Sequence, residues 1–207
     1  MPRIDPPARH ADSDGLPVLA GVCATLRGLR EDDAEALFAL HSDPRAMRYW
    51  SFVPWTDRSQ VHDYLARGIA ARDPERMLCW AIAQAGDDAL VGTATLFAIN
   101  REQGRAEIGY ALHPSYWGRG LATDALALML GHAFDTLGLR RVEADIDPRN
   151  TASCRLVERH GFVREGLLRE RWHVGGEACD SVVYGLLAQE WTGHRPATTA
   201  QTSHAPL

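Results

Sequence analysis

The chain has 207 residues, 45% apolar and 24% charged, with 22 basic against 27 acidic side chains and a formal net charge of −5. That balance gives one globular domain with enough chain for a substantial core, and it excludes collagen-like and wholly disordered classes. An acidic total without any Lys/Arg block argues against a protein that tracks nucleic-acid phosphates.

In chain order, residues 1–15 are rich in proline and charge and residues 192–207 are small and polar. Neither stretch can bury enough apolar surface to offset its ordering entropy, so both are expected to be disordered tails around a single domain spanning 16–191. VCATLRGL reads as an opening strand, and Asp32 or Asp33 starts a helix carrying Ala36, Leu37 and Leu40 at helical spacing. A short helix is expected over 43–49, then an aromatic, proline-broken loop WSFVPWTD, then a helix over 58–71 carrying Val61, Leu65 and Ile69. MLCWAIAQ and ALVGTATLFAI flank a GDD turn and predict a β-hairpin, followed by the strand RAEIGYAL. After HPSYWGRG comes a long apolar helix, LATDALALMLGHAFDTL, ended by Gly138 as a C-terminal cap. Strand LRRVEADID, helix NTASCRLVERH closed by Gly161, and strands FVREGLLRERW and ACDSVVYGLL around the turn HVGGE complete the chain. The order implies a mixed α/β (α+β) domain with helices on both faces of one sheet.

Cys23, Cys79, Cys154 and Cys179 lie far apart without CxxC or Cys/His ligand spacing. They read as buried thiols of a reducing compartment, with neither a disulfide framework nor a metal site. No stretch approaches the ~18 apolar residues of a membrane span, and the N-terminus has no apolar leader core. A cytoplasmic protein without membrane or nucleic-acid partners is expected.

The most informative stretch is EIGYALHPSYWGRGLATDAL, which puts Gly118 and Gly120 between a strand and an apolar helix. Without Cβ atoms the backbone there can turn tightly and approach a ligand closely. The unpaired amides of the helix's first turn, around Leu121, Ala122 and Thr123, would face that loop with the positive end of the helix dipole, a suitable holder for a diphosphate. The glycines could equally cap a tightly packed helix. A dinucleotide fingerprint with Glu143 or Asp145 as ribose ligand fits poorly: Thr123 stands where that motif needs Gly or Ala, and HPSYW separates strand from glycines.

Trp117-Gly118-Arg119-Gly120-Leu121-Ala122 resembles the Q/R-x-x-G-x-G/A pyrophosphate loop of the GNAT acetyl-CoA-dependent N-acetyltransferases, with Trp at its first position. A Trp there, LRGLREDDAEALFAL-HSDP, AEIGYAL, Asn150-Thr-Ala-Ser153, Gly161-Phe162 and Glu165-Gly166 are similar to the RimJ/RimL-like, ribosomal-protein-alanine acetyltransferase branch, in the same order over about residues 25–187. The resemblance implies a mostly antiparallel, six- to seven-stranded sheet, splayed between its fourth and fifth strands to receive the pantetheine arm of acetyl-CoA. It places that arm against the backbone near Ala111, Leu112 and His113. The Leu112 amide would bond the acetyl carbonyl more strongly as that oxygen becomes an oxyanion. Trp117, Gly118, Arg119, Gly120, Leu121, Ala122 and Thr123 would form the phosphate loop, with Arg119 either adding charge or simply solvated.

Asn150 and Ser153 share one face of a helix start, and Asn is a favoured N-cap that would bond the amide near Ser153. The resemblance implies that Asn150 also fixes the cofactor amide and that Ser153 gives a hydrogen bond or proton to the departing thiolate. A base is needed only if the amine arrives protonated, a larger problem for lysine (pKa about 10.4) than for an α-amino group (roughly 7.7–8.0). The branch assigns a glutamate after the Glu165-Gly166 match, but the ungapped position here is Trp172, which leaves Glu107, Glu170 and His173 as candidates. Asp124, in the first turn of the long helix, complements its dipole without a catalytic role. Trp50, Phe52 and Trp55, with Trp172, are the candidate acceptor-binding aromatics, although aromatics in such a loop can also roof a core.

The reading is direct acetyl transfer to a primary amine through a tetrahedral intermediate, with no cysteine at a motif position for an acyl-enzyme. The acceptor classes are a protein or peptide α-amine, slightly favoured from the branch, an aminoglycoside, or a small amine or amino-acid metabolite. The alternative is a non-catalytic acyl-CoA sensor or interaction module. A monomer or a homodimer is equally compatible.

Overall fold

The computed structural model describes residues 16–70 and 77–193, without side chains for 68–70. The expected N-terminal tail 1–15 and residues 194–207 of the C-terminal one lie outside that range. The elements are β1 (Leu19–Ala20), β2 (Ala24–Gly28), α1 (Ala34–Ser42), α2 (Ser59–Ala70), β3 (Leu78–Gln84), β4 (Leu90–Asn100) and β5 (Arg105–Leu112). After them come α3 (Leu121–Gly131), β6 (Arg141–Ile146), α4 (Thr151–Arg159), β7 (Val163–Val174) and β8 (Glu177–Leu187). They build one eight-stranded sheet in the order β1-β2-β3-β4-β5-β6-β8-β7. The two-residue β1, paired antiparallel with β2, is the strand beyond the expected seven.

Every neighbouring pair is antiparallel except β5 and β6. The side-chain period of two divides the core between the faces. Leu78, Trp80 and Ile82 of β3 join Leu126, Met129, Leu156 and Val157 under α3 and α4, whereas Cys79 and Ala81 meet Leu37, Val61 and Leu65 under α1 and α2. β3 is buried on both sides, which is why its sequence is a nearly unbroken apolar run. Arg27 of β2 is 3% exposed, and its guanidinium donates to both carboxylate oxygens of Asp33 and to Asp88. That network ties β2 to the start of α1 and to the β3–β4 turn.

Two expectations change in detail. Residues 43–49 form consecutive turns and no regular helix. Asp43 is extended, at ψ 116°, and after it the backbone makes only separate turns, Met47 N to Asp43 O and Trp50 N to Met47 O, without a continuous helical ladder. The long apolar helix runs regularly to Gly131 and then widens into a π-turn over His132–Thr136, before Gly138 takes up φ +65°.

Candidate functional site

β5 and β6 pair over only three positions, Arg105–Arg141, Ala106–Val142 and Glu107–Glu143, and then separate. The wedge begins one residue beyond Glu107. His113 donates its amide to the Val91 carbonyl at 2.9 Å, and β5 pairs residue for residue with β4 through Leu112–Gly92 and Ala111–Thr93. Antiparallel alternation therefore commits the peptide groups of Ala111 and His113 to β4 and turns those of Tyr110 and Leu112 toward the wedge. Of the three residues expected to meet the pantetheine arm, only Leu112 presents its main chain there, and Tyr110 joins it.

At the end of β5 the His113 ring accepts from Ser115 N and caps a short 3₁₀ turn, Pro114–Tyr116. The Trp117 indole donates to the Leu112 carbonyl at 2.9 Å, which pins the following loop to β5 although the side chain is 53% exposed. Gly118 and Gly120 have φ +74° and +79°, conformations that a side chain strains. Gly120 is the N-cap of α3, and the first main-chain bond runs from Asp124 N to Gly120 O. The amides of Leu121, Ala122 and Thr123 thus have no helical partner and face the loop. Arg119 lies over the Tyr116 ring, 5.1 Å from its centre. Asp124 accepts from Cys23 N at 2.7 Å and Ala24 N at 2.8 Å, fastening this helix end to the β1–β2 turn. His160 of α4 brings its ring nitrogens to the Leu156 and Thr123 carbonyls, a second fastening. The loop, the bare helix terminus and the wedge suit a diphosphate joined to an extended amide-bearing arm, as acetyl-CoA has.

At the wedge, between β5, β6 and the loop after α1, opens a cleft of about 600 Å³. It brings together Glu107, Asn150, Ser153, Trp50, Phe52 and Trp172, while the glycine loop lies beyond its lining. Asn150 Oδ1 accepts from Ser153 N at 3.2 Å, the capping bond its position predicts. The Trp172 indole, 41% exposed, donates to Asp145 at 3.3 Å. Trp55, in contrast, belongs to the core: it is 8% exposed and stacks on buried His41 with 4.2 Å between ring centres. Its amide bonds the His41 carbonyl, which turns the loop inward at that point.

Glu107 is half-buried, and its pKa is raised, first by desolvation and then by repulsion from Glu143 and Asp145, against attraction from Arg105 and Arg171. Of the three candidate bases it alone lines the cleft. Glu170, at φ +50°, forms part of a bulge in exposed β7 and donates its amide to Asp180, and His173 is exposed. Arg149, which carried no motif, lines the cleft and pairs with Asp147 and Glu177, joining the start of α4 to the β7–β8 turn. Tyr110, inside the AEIGYAL match, and Asp145, weighed only as a ribose ligand, were not expected at the acceptor cleft. The alternation of β5 and β6 is the signal that would have placed them.

Residues 24–163 match the family described as the acetyltransferase (GNAT) domain. Over 169 residues the chain is 34% identical to a Bacillus licheniformis protein named uncharacterized N-acetyltransferase p20, spanning 82% of this chain and 95% of that one. It is 27% identical over 152 residues to the spermidine N(1)-acetyltransferase of Escherichia coli K12, 73% of this chain and 79% of the relative. Mycobacterium smegmatis RimJ, solved with CoA-disulfide, superposes with a TM-score of 0.74 at 28% identity, over 84% of this chain and 88% of that one. Among the described residues no helix is long and apolar enough to cross a membrane. With the splayed sheet and its glycine loop, these likenesses make the chain a member of the GNAT family, in its RimJ/RimL-like branch, and an N-acetyltransferase that uses acetyl-CoA.

Proposed function

We propose that the enzyme acetylates the α-amino group of a protein or peptide N-terminus by direct transfer, with Glu107 as base. The observation that carries this reading is the meeting of Glu107, Asn150 and Ser153 in one cleft at the point where β5 and β6 part. Acetyl-CoA supplies an activated acetyl group with a thiolate leaving group. The amides of Gly118–Thr123 hold its phosphates, and the Leu112 amide bonds the acetyl oxygen as charge develops there. Glu107, partly desolvated, takes the proton of the incoming amine, and Ser153 faces the departing sulfur. An α-amino group, with a pKa of roughly 7.7–8.0, loses that proton to a carboxylate far more readily than a lysine does. Trp50, Phe52 and Trp172 offer apolar surface for the first side chains of a peptide. RimJ as a structural neighbour supports this acceptor class.

The same cleft also carries Asp145, Asp147, Glu177 and Asp180, which together with the spermidine-acetylating relative favours a polyamine as the second reading. Turnover of acetyl-CoA should be measured with a panel of free-N-terminal peptides, their N-blocked lysine-containing counterparts, and spermidine. Preference for free α-amines by tenfold or more in kcat/KM supports the proposal. Preference for spermidine overturns the acceptor and leaves the chemistry in place.

A further inference from the structure

Tyr110 is a residue of the cleft with no role in the chemistry so far. Its hydroxyl is buried and makes no hydrogen bond to any described residue, an uncompensated desolvation that native cores rarely keep without reason. Strand phase explains where it points. Tyr110 and Leu112 share one face of β5, the face packed against α3 and α4, and both turn their peptide groups into the wedge. Ser153, at the start of α4, lines the same cleft as the phenol. Burial pushes the phenol's pKa up to about 12, against the Ser153 hydroxyl, which draws it down, and with the Cys154 thiol. The phenol therefore keeps its proton at neutral pH and is a donor in search of an acceptor.

We infer that Tyr110 is a positioning residue for the acyl transfer, its O–H closing onto Ser153 Oγ when coenzyme A is bound, so that the serine's own proton is directed at the sulfur. This rests on the cofactor placement proposed above. A serine hydroxyl has one proton and two acceptor sites, and it rotates to suit its neighbours. With one acceptor site taken by Tyr110, its proton turns away from the phenol and toward the wedge. A donor behind the serine also polarises its O–H and strengthens the bond it gives to a thiolate. Tyr110 makes and breaks no covalent bond. It stabilises the thiolate form of the leaving group through Ser153.

The test is calorimetric affinity for coenzyme A and for its desulfo analogue at pH 6.5 and pH 9, spanning the ordinary thiol pKa of about 8.5. Both ligands carry the same phosphates, so a difference between them reports the sulfur. In the wild-type enzyme, affinity for coenzyme A should rise about tenfold across that range relative to the desulfo compound, the size of one charge-assisted hydrogen bond. Tyr110→Phe and Ser153→Ala should each remove most of that rise, the double variant should lose no more than either, and desulfo affinity should stay unchanged in all. In turnover, Tyr110→Phe should lower kcat several-fold at constant KM for acetyl-CoA. Should Tyr110→Phe keep the pH-linked rise, or weaken both ligands equally, the tyrosine is a packing residue and the inference is wrong. A wild-type enzyme without any rise is equally contrary to it. Failure of either ligand to bind the wild-type protein would instead overturn the cofactor site itself.

Discussion

Glu107 shares the rim of the wedge with Glu143 and Asp145, and its two strongest perturbations, burial and like charge, both favour the protonated form. Two consequences follow with definite signs. A carboxyl group whose pKa is raised by folding opposes the folded state when ionised, so its cost appears as pH climbs from the ordinary 4.5 through the raised value and persists above it. Glu107→Gln should therefore raise Tm at pH 7 and leave it unchanged well below pH 4.5. The same substitution should lower kcat by about 10²-fold or more and abolish the acidic limb of the rate profile, where activity climbs with ionisation of the base. Thermal melts at two pH values, together with a pH–rate profile, check both. A loss of stability or an intact acidic limb would remove Glu107 as the base.

At the scale of elements, the phosphate loop depends on how α3 is held. Its N-terminus has no side-chain cap, since Gly120 occupies the cap position, and it is anchored through its own Asp124, which accepts from the main chain of the β1–β2 turn. Asp124→Ala leaves two main-chain amides of the β1–β2 turn without their acceptor, and should cost about 1–3 kcal/mol of stability. Affinity for coenzyme A should fall with it, because the loop amides lose their fixed direction. Denaturant unfolding and calorimetry of ligand binding read the two effects, and unchanged values of both would make the anchor dispensable. The sequence showed Asp124 as a first-turn acid, yet its long-range partners, about a hundred residues away in the chain, could not be seen there. The same limit recurs elsewhere. Hydrophobic period located β3 and α4, and a strand-to-glycine-to-helix order located the loop, because these signals are local. Trp55 was drawn to the acceptor site by its aromatic neighbours, whereas His41, distant in sequence, receives it in the core. Residues 43–49 have the composition of a helix, yet they form only separate turns, and nothing local in the sequence marks that difference. The alternation of β5 is legible in the sequence, but which residues turn their peptide groups to β4 is set only by pairing, which directs Ala111 and His113 to β4 and Tyr110 and Leu112 to the wedge.

Across the whole molecule, one parallel contact decides the function. Seven strand pairs would close into an ordinary sheet were β5 and β6 to stay together, and their separation after Glu107 and Glu143 opens main-chain groups that a sheet otherwise consumes. The two helical layers hold the wedge from opposite sides: α3 and α4 present the glycine loop and Ser153, while the loop after α1 brings Trp50 and Phe52 to the cleft. The Arg149 pairs with Asp147 and Glu177 cross from one side of this opening to the β7–β8 turn. On the proposed mechanism, free peptide N–H groups of the wedge and of the bend after Trp117 bind acetyl-CoA, and amide hydrogen exchange addresses those groups one by one. On addition of coenzyme A, exchange should slow at Gly118–Thr123 and at Tyr110 and Leu112, with Ala111 and His113, already bonded to β4, changing least. Protection confined to another surface, with Gly118–Thr123 exchanging as fast as before, would put the cofactor elsewhere.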